Sequence, residues 1–192
     1  RFARRVPSGV RRSECLLLPR MADHADVMAA AARSFGIDAR VLPDSDARSL
    51  ALSRDVTSGK ECLPYRDSLG VLLRAAEDGD IIPGARALMA GSYGPCRLGK
   101  YAQEQQKVLR DVGIDLQIMT TVSNNAYADL GLGTSFELYA WQAMVTVDYL
   151  QRLLWMTRPY ERSVGGADRA YRHYLTEATE AADFRRPLLP IL

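Results

Sequence analysis

No apolar run in this sequence is long enough to cross a membrane, and no signal-peptide pattern stands in it. Membrane-embedded and exported classes are therefore not expected. Internal repeats and low-complexity tracts are also missing, which sets aside solenoids and disordered linkers. Histidine is scarce. His24 and His173 lie far apart without metal-ligand spacing, so each is read as solvated or locally hydrogen-bonded. The glycines form no phosphate-cradling loop, and no paired ATPase motifs occur, so ATP hydrolysis is not expected of this chain. The three cysteines lack the spacing of a disulfide framework, which points to a reducing, cytoplasmic setting.

What is present suits a folded domain. The chain has 192 residues, 47% hydrophobic and 25% charged, enough to bury a proper core. A net charge of +2 is too small to imply nucleic acid. Much of the local excess sits in Arg1, Arg4, Arg5, Arg11 and Arg12, read as a solvated leading segment over 1–12. The chain opens on arginine instead of methionine, as a piece of a longer protein would.

Strand-like and helix-like segments then alternate. Strands are expected over 15–18, 39–42, 85–90 and 116–122. Helices are expected over 23–35 with Asp23 as N-cap, over 65–77, and over 100–112. A short helix near 47–52 is possible within an ambiguous stretch, 44–59. Two longer helices, 135–157 and 167–182, close the chain, and the apolar residues 187–192 are expected to pack on something. This order predicts an α/β fold, doubly wound, with a mostly parallel sheet, helices on both faces and a helical C-terminal tail. The Rossmann-like part covers 13–134, and the helical extension of the same domain covers 135–192.

Two cysteines stand in near-matching settings. One lies in Ser58-Gly59-Lys60-Glu61-Cys62-Leu63-Pro64-Tyr65, the other in Gly91-Ser92-Tyr93-Gly94-Pro95-Cys96-Arg97-Leu98-Gly99-Lys100-Tyr101. Each follows a glycine and precedes a helix, with a proline close by. A sulfur at a helix start meets free N–H groups and the positive end of the dipole, which favours thiolate, the form that grips metal. Ligand sites in doubly wound sheets gather beyond the carboxyl ends of the strands, where Cys96 follows the third strand. Cys15 instead begins a strand, roughly 15 Å away across the sheet, and reads as a buried small hydrophobe. For Cys62 and Cys96 the residues alone leave ligand and purely structural roles open.

Other positions read more plainly. Glu61 is a capping or surface residue, with a proton carrier near a cluster as the alternative. Asn124-Asn125 reads as a turn near the same sheet edge. Tyr139, Trp141, Tyr149 and Trp155 share one helix and are expected in packing or an interface. Arg169 to His173 reads as a solvated helix face, with a CoA phosphate contact as the alternative.

The stretches Gly59-Lys60-Glu61-Cys62-Leu63-Pro64 and Gly94-Pro95-Cys96-Arg97-Leu98-Gly99-Lys100-Tyr101 resemble motifs of the 2-hydroxyacyl-CoA dehydratase superfamily. The nearest branch is the dehydratase-like region of CoA-substrate-specific enzyme activase proteins. Arg158-Pro159-Tyr160-Glu161 following Asp148, Leu18-Pro19-Arg20-Met21 before the first helix, and Gly36 before the second strand are similar to that branch too. The resemblance runs from about Cys15 to about Tyr174. It implies an iron–sulfur cluster, 4Fe–4S or double-cubane, serving low-potential electron transfer or reductive dehydration of a CoA thioester. An ATP-dependent activator of the actin-like ATPase fold would supply the electrons. By the same motifs Cys62 and Cys96 would be cluster ligands, with Arg97, Lys100 and Tyr101 beside the cluster or an anionic ligand. Relatives usually carry three cysteines per cubane, so a third is expected from another subunit or chain segment, and an isolated fragment can lack the cluster. The remaining alternative is an α/β scaffold or small-molecule-binding domain with no cluster.

Overall fold

The computed structural model describes residues 15–120 and 132–188. In chain order the elements are β1 (Cys15–Leu18), α1 (His24–Ser34), β2 (Asp38–Val41), α2 (Ala47–Asp55), α3 (Leu63–Glu77), β3 (Arg86–Met89), α4 (Tyr101–Asp111), β4 (Gln117–Thr120), α5 (Thr134–Thr157) and α6 (Gly166–Asp183). A 3₁₀ turn, Arg97–Lys100, runs into α4, and a second, Arg158–Tyr160, follows α5. The four strands form one all-parallel sheet in the order β2-β1-β3-β4. The α/β, doubly wound expectation holds. The strand order reverses between β1 and β3.

Alternation along the strands builds a three-layer sandwich. Cys15 and Leu17 of β1, with Ala87 and Met89 of β3, face α3 and α4 in one core. Leu16 and Leu18, with Leu88, face α1 and α5 in another. The strands read as nearly continuous apolar runs because both faces are covered. The long helices need a third core. Val27 of α1, Val147 and Leu150 of α5, and Tyr171 and Ala178 of α6 pack together there, and Leu188 closes it. That burial answers the apolar tail as far as residue 188; 189–192 lie outside the described residues.

Several boundaries moved for identifiable reasons. The ambiguous stretch 44–59 holds a nine-residue helix, α2, because Asp46 and Ser49 form a reciprocal capping box. Ser49 N–H donates to Asp46 Oδ1 at 2.7 Å, and Asp46 N–H donates to Ser49 Oγ at 2.9 Å. Helix α3 starts two residues early, at Leu63, since Pro64 in a first turn gives up no needed N–H. Asp23 occupies the N-cap position of α1 without capping it. Its carboxylate instead accepts the Tyr171 hydroxyl at 2.6 Å, a bond to α6 that sequence proximity could not show. The leading arginines, Asn124-Asn125 and the end of the 116–122 strand lie outside the described residues.

Candidate functional site

Parallel strands fix where helices begin. After α3 the chain turns and enters β3 at its amino end, so α3 itself starts at the carboxyl edge of the sheet. Cys62 is the residue immediately before α3, in an extended conformation with φ −62° and ψ 144°. Cys96 follows β3 by a short loop and precedes the 3₁₀ turn, with φ −69° and ψ 130°. The two cysteines thus share one backbone conformation at one edge. Both approaches use a glycine in the left-handed region, Gly59 at φ +83° and Gly94 at φ +111°, which a side chain would strain.

The two loops are tied together. Arg97 Nη1 donates to the carbonyl of Lys60 at 3.3 Å, joining the Cys96 turn to the Cys62 loop. Gly99 lies so close to the Ser92 carbonyl that an added Cβ would overlap it, which presses the turn onto its own loop. Within the first loop, Glu61 Oε1 accepts the Ser58 N–H at 3.0 Å and the Ser58 hydroxyl at 2.9 Å. The Ser58 N–H, then the N–H of Glu61 itself, hold this carboxyl down at about 2. Glu61 is therefore ionised at neutral pH. Its bonds close the loop 58–61 and leave α3 without a side-chain cap.

Between α2, α3 and α4 a cleft of about 360 Å³ opens beside these loops. Thr57, Glu61, Cys62 and Tyr65 line one side, and Arg97, Lys100, Tyr101 and Glu104 line the other. The Tyr65 and Tyr101 rings meet edge to face at 5.2 Å. Burial pushes the Tyr101 phenol up to about 12, with the Cys62 thiol it faces, and then Cys96, adding to the effect. Burial, followed by Glu104 and Glu61, pushes Tyr65 up to about 12 as well. Thr57 Oγ1 and Glu61 Oε2 are buried at this cleft without a hydrogen-bond partner in the protein, a condition that calls for a bound group. Cys62 is half-buried and Cys96 exposed, and the rim around them carries exposed Leu63 and Tyr93.

Of the sequence-expected residues, Cys62, Arg97, Lys100 and Tyr101 line this cleft, and Cys96, exposed, precedes Arg97 outside the lining. Thr57, Tyr65 and Glu104 were missed, although their spacing was a signal. Tyr65 follows Cys62 by three residues, and Glu104 follows Lys100 and Tyr101 by four and three, so each pair shares a helix face. Cys15 is elsewhere. It is buried at the amino end of β1, opposite Asp38, and burial followed by the Asp38 carboxylate raises its thiol pKa. That keeps the proton on sulfur, as the small-hydrophobe reading expects. Among the described residues, no group of three His, Cys, Asp or Glu is placed to hold a metal ion. The rim offers two thiols, fewer than the ligands a cluster takes.

The other candidates resolve as structural. His24 Nε2 is 2.8 Å from Asp148 Oδ1, tying α1 to α5, and His173 is 3.4 Å from Glu177 on its own helix. Glu161 accepts the N–H groups of Gly165 and Ala167 at the start of α6, and Arg158 pairs with Asp168. Arg169 donates to the Val164 carbonyl, within its own turn. Tyr139 packs, its hydroxyl donating to the carbonyls of Ala181 and Arg186. Trp141, Tyr149 and Trp155 face outward.

A second cleft, about 240 Å³ and mainly apolar, lies where β1 and β3 part. Leu18, Leu88 and Ala90 from the strands and Met21, Met28 and His24 from the α1 side line it. The fold and the rim define a Rossmann-like α/β domain with paired cysteines at its ligand-binding edge. No family model, curated protein or solved structure matches the chain. No helix among the described residues is long and apolar enough to cross a membrane.

Proposed function

We propose that this chain is an iron–sulfur cluster-binding domain akin to the 2-hydroxyacyl-CoA dehydratase and activase superfamily, with Cys62 and Cys96 as cluster ligands. One observation carries the reading: two cysteines in the same extended conformation precede neighbouring helices at the carboxyl edge, on loops tied by the Arg97 bond to the Lys60 carbonyl. A cluster held there would supply low-potential electrons, for ATP-coupled transfer or for reductive dehydration of a CoA thioester. The chain's own residues would govern potential and access. Tyr101 keeps its proton at neutral pH and can offer its O–H toward sulfur, which makes reduction easier. Arg97 and Lys100 place positive charge on the cleft, suited to a reduced, anionic centre or to the phosphates of a CoA ligand. Remaining sulfur ligands would come from a partner subunit or another chain segment meeting the apolar rim at Leu63 and Tyr93. Electrons would arrive from an ATP-dependent activator of the actin-like ATPase fold.

Anaerobic reconstitution followed by visible absorption and by iron and acid-labile sulfide assays tests the reading. Cys62→Ala and Cys96→Ala should each remove most bound iron; unchanged iron in both variants would overturn it. Turnover with an activator, ATP and a panel of 2-hydroxyacyl-CoA thioesters separates a dehydratase role from electron relay alone. The apolar cleft at the β1/β3 reversal favours a second reading, a small-molecule-binding α/β domain without a cluster, since ligands of doubly wound sheets gather at that point. Ligand-induced stabilisation unaffected by either cysteine substitution would select it.

A further inference from the structure

Helix α5 is apolar on two opposite faces. Phe136, Ala140, Ala143, Val147, Leu150 and Leu154 are buried against the body of the protein. At about 100° per residue these fall within about 40° of one direction. Leu138, Trp141, Val145, Tyr149 and Met156 fall within about 40° of the reverse direction, with Leu153 at their flank and exposed Arg152 among them. The six apolar residues are between 38% and 65% exposed. A helix that is hydrophobic all round is normally buried all round.

We propose that this outward stripe is the interface of a two-fold homodimer in which α5 packs antiparallel on α5 of a second copy. The spacing supports the copy itself as occupant. Successive stripe residues are separated by 3, 4, 4, 4 and 3 positions, the same in either direction. A two-fold axis beside residue 147 therefore brings Leu138 to Met156, Trp141 to Leu153 and Val145 to Tyr149, each pair formed twice, as an isologous interface requires. Charge agrees with that direction. The antiparallel register sets Arg152, which lies within the stripe, across from Gln142, whereas a parallel pair would set Arg152 against Arg152. Area agrees too. The exposed parts of the six side chains amount to roughly 700 Å² per copy, against about 800 Å² per partner in a standard interface. The interface is independent of the cysteine rim, whose residues lie on α3 and α4.

Sedimentation equilibrium on the full chain, from about 1 to 100 µM, reads the state directly. Wild type should have twice the mass of one chain, and Val145→Glu and Tyr149→Lys should each halve that mass while keeping the helical circular dichroism. Val145→Glu with Tyr149→Lys in one chain should restore the dimer, because Glu and Lys then face each other across the axis. Val145→Cys with Tyr149→Cys, in a Cys96→Ala background, should cross-link two chains on mild oxidation, a readout that does not depend on the charged variants folding. A monomeric wild type, a dimer indifferent to both single substitutions, or a double variant that stays monomeric would overturn the proposal. So would protection of Trp141 only when a different protein is added.

Discussion

On the face of the sheet that carries α3 and α4, side-chain bonds to backbone stand beside ion pairs, Arg48 with Glu77 and Asp78 and Arg74 with Asp46. Arg74 donates to the carbonyls of Pro43 and Asp44, Gln105 donates to the Tyr65 carbonyl and the Ser68 hydroxyl, and Arg97 donates to the Lys60 carbonyl. On the face that carries α1, α5 and α6, Tyr139 and Arg33 also donate to backbone carbonyls, and further ties join side chains far apart in sequence. Arg33 clasps Asp183 through two nitrogens at 2.7 and 2.9 Å, Tyr171 donates to Asp23, and His24 meets Asp148. Bonds to backbone fix the course of loops, and the loops they fix are those that present Cys62 and Cys96. Bonds between side chains fix how helices lie on one another, and the result is a rigid back with an apolar outer stripe.

Core truncation should break both faces hardest. Phe136→Ala on the long-helix side should cost about 3–5 kcal/mol, and Leu72→Ala on the site side about 2–5 kcal/mol, by urea unfolding. If the faces are as separate as their bonding suggests, Phe136→Ala will leave the native-state alkylation rate of Cys62 unchanged. Leu72→Ala will raise it. Close backbone approaches come next. Gly70→Ala would drive a methyl into the Ser49 carbonyl where α2 crosses α3, and Gly99→Ala would do the same to Ser92. Each should cost about 1–3 kcal/mol, and Gly99→Ala should also speed alkylation of Cys96.

The polar ties give a finer comparison. Arg74 is almost fully buried, so Arg74→Met strands two carbonyls and should cost about 1–3 kcal/mol. The Arg33–Asp183 pair is about a third exposed, so Asp183→Asn should cost no more than about 1 kcal/mol. Equal losses would erase the distinction between the faces. The smallest effect is a pH dependence. Glu61 is held from 4.5 down to about 2, so its contribution is complete above about pH 4.5 and is lost as pH falls toward 2. Hydrogen exchange of the Ser58 amide should accelerate, relative to neighbouring amides, across that window in wild type and stay level in Glu61→Gln.

Much of this was legible in the residues. The strand β1 is four consecutive buried apolar residues, and α1 is set by an alanine-rich run closed at Gly36, whose φ of +95° suits glycine alone. The matched glycine–cysteine–helix settings of Cys62 and Cys96 were also visible, because a turn residue and a helix start are local events. Asp23 was misread for the opposite reason. By local preference it caps α1, and only the arrival of Tyr171, 148 residues later, takes its carboxylate away. Thr57 was hidden because it lies just past α2 and reaches the cleft only when that end of the helix packs beside α3 and α4.

The sequence by itself determined the alternation of strands and helices, the doubly wound parallel sheet and the pairing of two helix-start cysteines, since all of these follow from periodicity and turn chemistry within a few residues. Only the tertiary structure decided that Arg97 would bind the Lys60 loop, that Tyr101 would be buried facing Cys62, and that α5 would turn a second apolar face outward. Those outcomes depend on which surfaces of distant elements exclude water together, and contacts of that kind carry no mark in the local order of residues.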